Sequence, residues 1–130
     1  MLRDFKRGSR SSDEMKPIAE ALEREEMLAL AEYFSKKPWP RNEQPRASEA
    51  VAAKAATANV AVGCTGCHLA HYQGDSTNPR LAGQTKEYLA KTMLEIRSGE
   101  RANNPGMTTL MRATSEDDIA ALAEYLAGLR

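Results

Sequence analysis

The stretch Cys64-Thr65-Gly66-Cys67-His68 decides how this chain is read. It holds the only two cysteines of the 130 residues, three positions apart, so a disulfide framework closing large loops is excluded. A cysteine pair with an adjacent histidine admits three chemistries. A thioredoxin-like dithiol wants a preceding strand and a βαβ pattern, and neither surrounds it. A zinc site wants a second pair of ligands, and only His71 is left to help. A c-type haem attachment site uses all three side chains. Each thiol then adds to one vinyl group on the porphyrin edge, and two intervening residues span the vinyls within about one helical turn. His68 falls under the iron as its proximal ligand. On the pentad alone the thiol and zinc readings stay open.

The composition around the pentad is that of a soluble globule with few large anchors. Hydrophobic residues make up 42%, charged residues 28% and aromatic residues only 5%. A core this short of big side chains is open to filling by a group that is not protein. Lys+Arg is 18 and Asp+Glu is 18, so bulk charge drives binding neither to nucleic acid nor to an anionic membrane. No run approaches the roughly 18 apolar residues of a membrane helix. The opening Met1-Leu2-Arg3-Asp4-Phe5-Lys6-Arg7 has no apolar stretch behind its basic residues and does not read as a signal peptide. Covalent haem attachment belongs to export pathways, so the expectation is a leader removed, replaced or not included.

A haem iron that only transfers electrons wants a second axial ligand, and a thioether raises its potential. Met107 lies in the polar turn Asn103-Asn104-Pro105-Gly106-Met107. Met93 and Met111 are expected to fill the core. The periodicity predicts a helix over 22–35, with Met27, Leu30, Ala31 and Phe34 recurring on one face, acidic residues at its start and Pro38 after its end. Residues 38–47 are proline-rich and read as a linker, with Trp39 pinning it to a surface. Ser48 caps an alanine-rich helix reaching Val60, with Val51, Ala55 and Ala58 on one face. The haem motif follows on a short helix, and 69–84 is mostly loop. A helix over 85–97 offers Tyr88, Leu89, Thr92 and Ile96 as its buried face. The last helix opens with a capping box from Ser115 to Asp118 and presents Ile119, Leu122, Ala123 and Leu126. No run reads as a strand, and the fold class is all-α.

Residues 15–34, MKPIAEALEREEMLALAEYF, match residues 107–126, MTTLMRATSEDDIAALAEYL, at a constant offset of 92. Met15 falls on Met107, and Leu30-Ala31-Glu32-Tyr33 on Leu122-Ala123-Glu124-Tyr125. Upstream, Arg7-Gly8-Ser9-Arg10 matches Arg97-Ser98-Gly99-Glu100-Arg101 after a one-residue slip. A period of 92 is the size of a domain. The chain therefore reads as a partial repeat without a haem motif (1–37), a linker (38–47) and a complete haem-binding domain (48–130).

With these features together the sequence resembles the class I c-type cytochromes, most nearly the tandem dihaem cytochrome c4 type. The resemblance rests on Cys64-Thr65-Gly66-Cys67-His68, Pro79-Arg80-Leu81-Ala82-Gly83-Gln84, Tyr88-Leu89, Arg97-Ser98-Gly99-Glu100-Arg101, Met107 and the Ser115–Leu126 segment. It implies one covalent haem c held by Cys64 and Cys67, with His68 proximal and Met107 distal. It also implies that the Pro79 carbonyl accepts from the His68 ring. Gln84 and Tyr88 are expected to pack and hydrogen-bond near the haem, and His71 to be an ordinary exposed or locally bonded histidine. Two departures stand out. Leu69 follows the motif histidine where the family usually has glycine, and Thr114 replaces the leucine before the capping serine. The first haem motif of a dihaem relative is missing. The half domain is explained by a shortened dihaem protein, by a monohaem protein with a helical shell, or by a fragment completing a surface in a partner or a second copy.

The function implied is one-electron transfer in the periplasm, with no catalysis at the iron. Redox proteins such as a terminal oxidase or a cytochrome complex would be the partners, and residues 1–37 a site for docking or self-association. Two alternatives are a haem-bearing docking subunit of a larger oxidoreductase and a ligand-binding or sensor haem protein. The sensor requires Met107 to be off the iron or easily displaced.

Overall fold

The computed structural model describes residues 1–40 and 42–130; Arg41, in the proline-rich segment, lies outside the described residues. Eight helices and no strand occur among the described residues: α1 (Leu2–Lys6), α2 (Met15–Ala21), α3 (Arg24–Ser35), α4 (Glu49–Val62), α5 (Cys64–His68), α6 (Lys86–Ser98), α7 (Pro105–Arg112) and α8 (Glu116–Ala127). The all-α reading holds.

Local chemistry sets the helix ends. The Ser48 side chain accepts from the Val51 N–H, and α4 ends where Gly63 turns left-handed at φ 75°. Thr85 caps α6, whose end is the left-handed Gly99. Ser115 accepts from the Asp118 N–H to start α8. Helix α7 begins inside the segment expected as a polar turn. Asn104 accepts from the Met107 N–H at 3.1 Å, and Pro105 occupies the first helical position, where its missing N–H costs nothing.

The core lies where α8 packs on α4 and α6, and α6 on α7. Ala55 and Ala58 are buried, and their small side chains let α4 approach α8. Met111, Ile119, Leu122 and Leu126 are the largest side chains removed completely from solvent. Burial of each contributes about 2 kcal/mol. Met93 and Met111 are both core residues, as expected. The face of α6 is rotated from the expected one. Leu89, Met93 and Ile96 are buried, while Tyr88 is 39% exposed. The i, i+4, i+7 stripe points inward and carries the phenol to the rim.

The N-terminal segment has a small core of its own, with Phe5, Ala19 and Met27 buried and α1 against α2. Pro17 is tolerated because it sits in the first turn of α2. Helix α3 has the expected period but not the expected burial. Only Met27 of its face is buried; Leu30 and Ala31 are exposed, and Phe34 is 65% exposed. Among the described residues no helix packs extensively on it. Local interactions hold it: a reciprocal capping box between Glu23 and Glu26, an edge-to-face Tyr33–Phe34 pair and Lys37 over the Tyr33 ring.

The proline-rich segment is tied to the loop before α6. Asn42 donates to the Gly83 carbonyl and Gln44 to the Gln84 carbonyl, both at 3.1 Å. Arg80 lies over the Trp39 ring. At its other end the segment runs against Gly128, where a Cβ would come within 2.9 Å of Arg46 Cα and the Pro45 carbonyl oxygen.

Candidate functional site

The Cys-x-x-Cys-His pentad is helix α5, launched from α4 by the left-handed Gly63. One turn of helix carries both cysteines and the histidine together. Cys64 is half-buried, Cys67 is exposed, and the two are free thiols. Burial pushes the Cys64 thiol up, against a smaller opposing effect of its backbone hydrogen bond. His68 is 5% exposed. Its Nδ1 lies 2.8 Å from the Pro79 carbonyl oxygen. A proline carbonyl can only accept, so Nδ1 carries a proton, and in the neutral ring Nε2 is the nitrogen with the lone pair.

The loop that delivers Pro79 is closely specified. Gly74, at φ 67°, donates to the His68 carbonyl at 3.0 Å. A Cβ on Gly74 would meet the backbone of Asn78, Pro79 and Arg80. The Asp75 carboxylate accepts from the Thr77 N–H, the Thr77 hydroxyl and the Asn78 N–H, each at 2.7 Å. Those donors, the Thr77 hydroxyl first, hold its pKa at about 2. The Tyr72 carbonyl accepts from Leu81 and Ala82, and Arg80 donates to the Ala82 carbonyl and to Gln73. Sequence reasoning takes Gly74 only as punctuation of the 69–84 loop and misses Asp75; Asp-x-Thr-Asn after a glycine is the turn signal that marks it.

Leu69 has φ 66° and ψ 165°, a region that favours glycine. The departure noted after His68 is thus a backbone strain, and Leu69 stays 44% exposed. Thr114 is buried, donates to the Leu110 carbonyl at 2.9 Å, and its own carbonyl accepts from Arg97. Replacing leucine there leaves no polar atom unpaired.

Met107 lies in the first turn of α7, half-buried and packed against the core cluster. The Gln84 side chain accepts from the Thr85 N–H at 2.8 Å. Tyr88 accepts from Arg10 at 3.1 Å. His71 is exposed, as expected. Among the described residues no three His, Cys, Asp or Glu side chains converge as metal ligands, so the zinc alternative finds no ligand set. Among the described residues no strand precedes the pair, which leaves the thioredoxin alternative without its scaffold.

The residues present fit a haem held through two thioethers. Two unpaired thiols flank one turn of helix, and a buried imidazole has one nitrogen committed to a carbonyl and the other free. No described helix is long and apolar enough to cross a membrane.

Comparison with known proteins agrees. The cytochrome c family matches residues 50–130. A thiosulfate dehydrogenase electron acceptor from Stutzerimonas stutzeri strain A1501 is 37% identical, over 98% of this chain and 64% of its own length. Cytochrome c4 from Thiocapsa roseopersicina is 34% identical, over 98% of this chain and 71% of its own. The solved cytochrome c4 of Acidithiobacillus ferrooxidans superposes with a TM-score of 0.84 at 27% identity, covering 98% of this chain and 81% of that one. This chain thus spans about two thirds of the length of these curated relatives. The Cys-x-x-Cys-His helix, the buried imidazole and these similarities place the chain in the class I cytochrome c family, with cytochrome c4 as its kin.

Proposed function

We propose that this chain is a one-electron carrier built on a single covalently held haem c. Cys64 and Cys67 would hold it as thioethers, and His68, through Nε2, and Met107 would ligate its iron. Pro79 positions His68 through its carbonyl. The observation that carries this is the buried His68 ring, donating from Nδ1 to Pro79 at 2.8 Å on the same turn as two free thiols. When bound, the haem supplies the reversible one-electron couple. The chain does the rest. The Pro79 carbonyl fixes the tautomer and makes the imidazole more electron-rich, and the Met107 thioether raises the potential. With His68 and Met107 both holding the iron, no position would be left for substrate, which fits a carrier.

Residues 1–37 are a partial repeat of the domain over 48–130, joined by the 38–47 segment. In support, α2 followed by α3 repeats the order of α7 followed by α8. Helices α3 and α8 are each 12 residues long, and their N-caps, Glu23 and Ser115, stand at the same offset as Met15 and Met107. The setting is the periplasm, and the partners are redox proteins such as a terminal oxidase, a cytochrome complex or a dehydrogenase of the kind served by the Stutzerimonas relative.

The test is an intact mass and a pyridine haemochrome spectrum on protein from an export-competent host, with carbon monoxide added to the reduced form. One haem per chain and no carbon monoxide binding are expected, with binding gained in Met107→Ala. A chain without covalent haem, or native protein that binds carbon monoxide, overturns the reading. A second reading, a haem-bearing docking subunit, is favoured by the apolar side chains that α3 leaves exposed, Leu28, Tyr33 and Phe34.

A further inference from the structure

Arg10 sits where the N-terminal segment meets α6, and its guanidinium is only half used. Nη2 donates to the Tyr88 hydroxyl at 3.1 Å, and the group lies over the Phe5 ring at 4.6 Å. Nη1 is buried and has no hydrogen-bond partner. A buried donor on a permanent cation without an acceptor is costly, and native structures rarely leave one so. Arg10 lines a cleft of about 240 Å³ with Arg101, Tyr88, Ser12 and Lys91.

The charges in this cleft do not cancel. Neither Arg10 nor Arg101 has a carboxylate within 4.0 Å among the described residues. Of the two acids on the cleft wall, Glu95 pairs with Lys91 at 3.6 Å, and Glu100 is exposed and bonds to neither arginine. Tyr88 reports the resulting field. Burial opposes ionisation of its phenol, yet Arg10 and Arg101 together outweigh burial and pull the pKa below the ordinary tyrosine value. The two arginines also correspond in the internal match of the sequence, so one guanidinium arrives from each side of the seam.

We infer that this cleft is a carboxylate site, in which the Arg10 and Arg101 guanidinium groups and the Tyr88 hydroxyl receive one carboxylate group. Planar guanidinium forks match that geometry, and charge-assisted bonds to it are the strong kind. Two sources carry the same chemistry: a small free carboxylate, or a propionate of the chain's own haem. Only the second rests on the haem reading above. A filled site staples residues 1–12 to the haem domain, where Arg10–Tyr88 and a 3.3 Å bond from Asn103 to Asp4 already join them.

The experiment uses the full-length haem-loaded protein and three variants, Arg10→Gln, Arg101→Gln and Arg7→Gln, the last an exposed charge control on the same segment. Acetate and citrate are titrated at constant ionic strength by calorimetry. Redox-difference infrared spectra are recorded beside the titration. Saturable acetate binding that falls about tenfold or more in Arg10→Gln and Arg101→Gln, but not in Arg7→Gln, establishes the site with a free carboxylate. No acetate binding, with a carboxylate band that shifts in Arg10→Gln, returns in Arg10→Lys and is unmoved in Arg7→Gln, establishes it with the propionate. Haem-loaded protein with neither signature overturns the inference. Should the protein carry no haem, the haem reading fails on its own, and the acetate titration alone decides this one.

Discussion

Gly74→Ala is the substitution whose cost follows most directly from the backbone. Gly74 has φ 67°, so any side chain there carries left-handed strain of about 1 kcal/mol or more. Its Cβ would also stand 2.5 Å from the Arg80 nitrogen and the Pro79 carbonyl carbon, and closer still to the Asn78 carbonyl oxygen. These atoms are backbone and cannot rotate away. Restoring normal contact moves the backbone of residues 78–80 by about 1 Å. That displacement takes the His68 Nδ1–Pro79 bond from 2.8 Å beyond hydrogen-bond range and strains the 2.8 Å Asp75–Asn78 bond. Two such bonds at about 1 kcal/mol each bring the total to roughly 3 kcal/mol. Gly63→Ala is the control. It has φ 75° but nothing within 4 Å of a new Cβ, so it carries only the dihedral cost of about 1 kcal/mol. Guanidinium denaturation of the haem-loaded variants should separate the two by about 2 kcal/mol. The midpoint potential of Gly74→Ala should rise, because an imidazole without its carbonyl acceptor is a poorer donor to iron. Equal stabilities for the two variants, or an unchanged potential in Gly74→Ala, would refute the claim that this loop holds His68 through Pro79.

Leu69→Gly should stabilise the protein by about 1 kcal/mol, since it removes a strained backbone from a half-exposed leucine at the expense of some unfolded-state entropy; thermal melts check it. Asp75, with its pKa depressed to about 2, contributes stability that is complete above the ordinary carboxylate range and is lost as pH falls from about 4 toward 2. Melting temperatures of wild type and Asp75→Asn, compared from pH 5 to pH 2, should therefore converge at the acid end, and a constant difference would contradict this. Leu28→Ser and Phe34→Ser on the exposed face of α3 should each change stability by about 0.5 kcal/mol or less. A double Cys64→Ala, Cys67→Ala variant should lose hydrogen-exchange protection over 60–81 before it loses protection in α6 and α8.

What the sequence made legible was whatever local chemistry determines. The pentad, Ser48, Ser115 and the stripe of α8 each act through neighbours in the chain, and each stands where expected. Two shifts trace to tertiary choice. Tyr88 and Leu89 are adjacent and both apolar enough for a core, and only packing against α7 and α8 selects Leu89, Met93 and Ile96. Helix α3 carries the same period as α8, but a period states which face is apolar, not whether anything covers it. The start of α7 was legible in principle from Asn104-Pro105, and the polar composition of 103–107 hid it. Arg10 was hidden for a different reason. Its partner is 78 positions away, and on the page of the sequence it is one more cation in a basic cluster.

The scarcity of aromatic residues acquires a physical meaning in the distribution of burial. Helices α6, α7 and α8 supply Leu89, Met93, Ile96, Met111, Ile119, Leu122 and Leu126 to the interior. The segment 60–81, which contains both thiols, supplies only His68 and Tyr72. A stretch that buries so little apolar area does not offset the conformational entropy of fixing it. Its order comes instead from polar devices: the carboxylate of Asp75, the carbonyls of Tyr72 and Pro79, and a glycine at the one position where no Cβ fits. Such devices fix geometry well and contribute net stability poorly. That division suits a segment whose apolar contribution is a tethered prosthetic group. In the function proposed above, two thioethers would anchor the segment covalently and the imidazole would anchor it through iron, while the hydrogen-bonded loop sets the direction of the imidazole. The same residues then determine both whether the segment is ordered and how readily the iron gives up its electron, so stability and potential should change together along this loop and independently elsewhere.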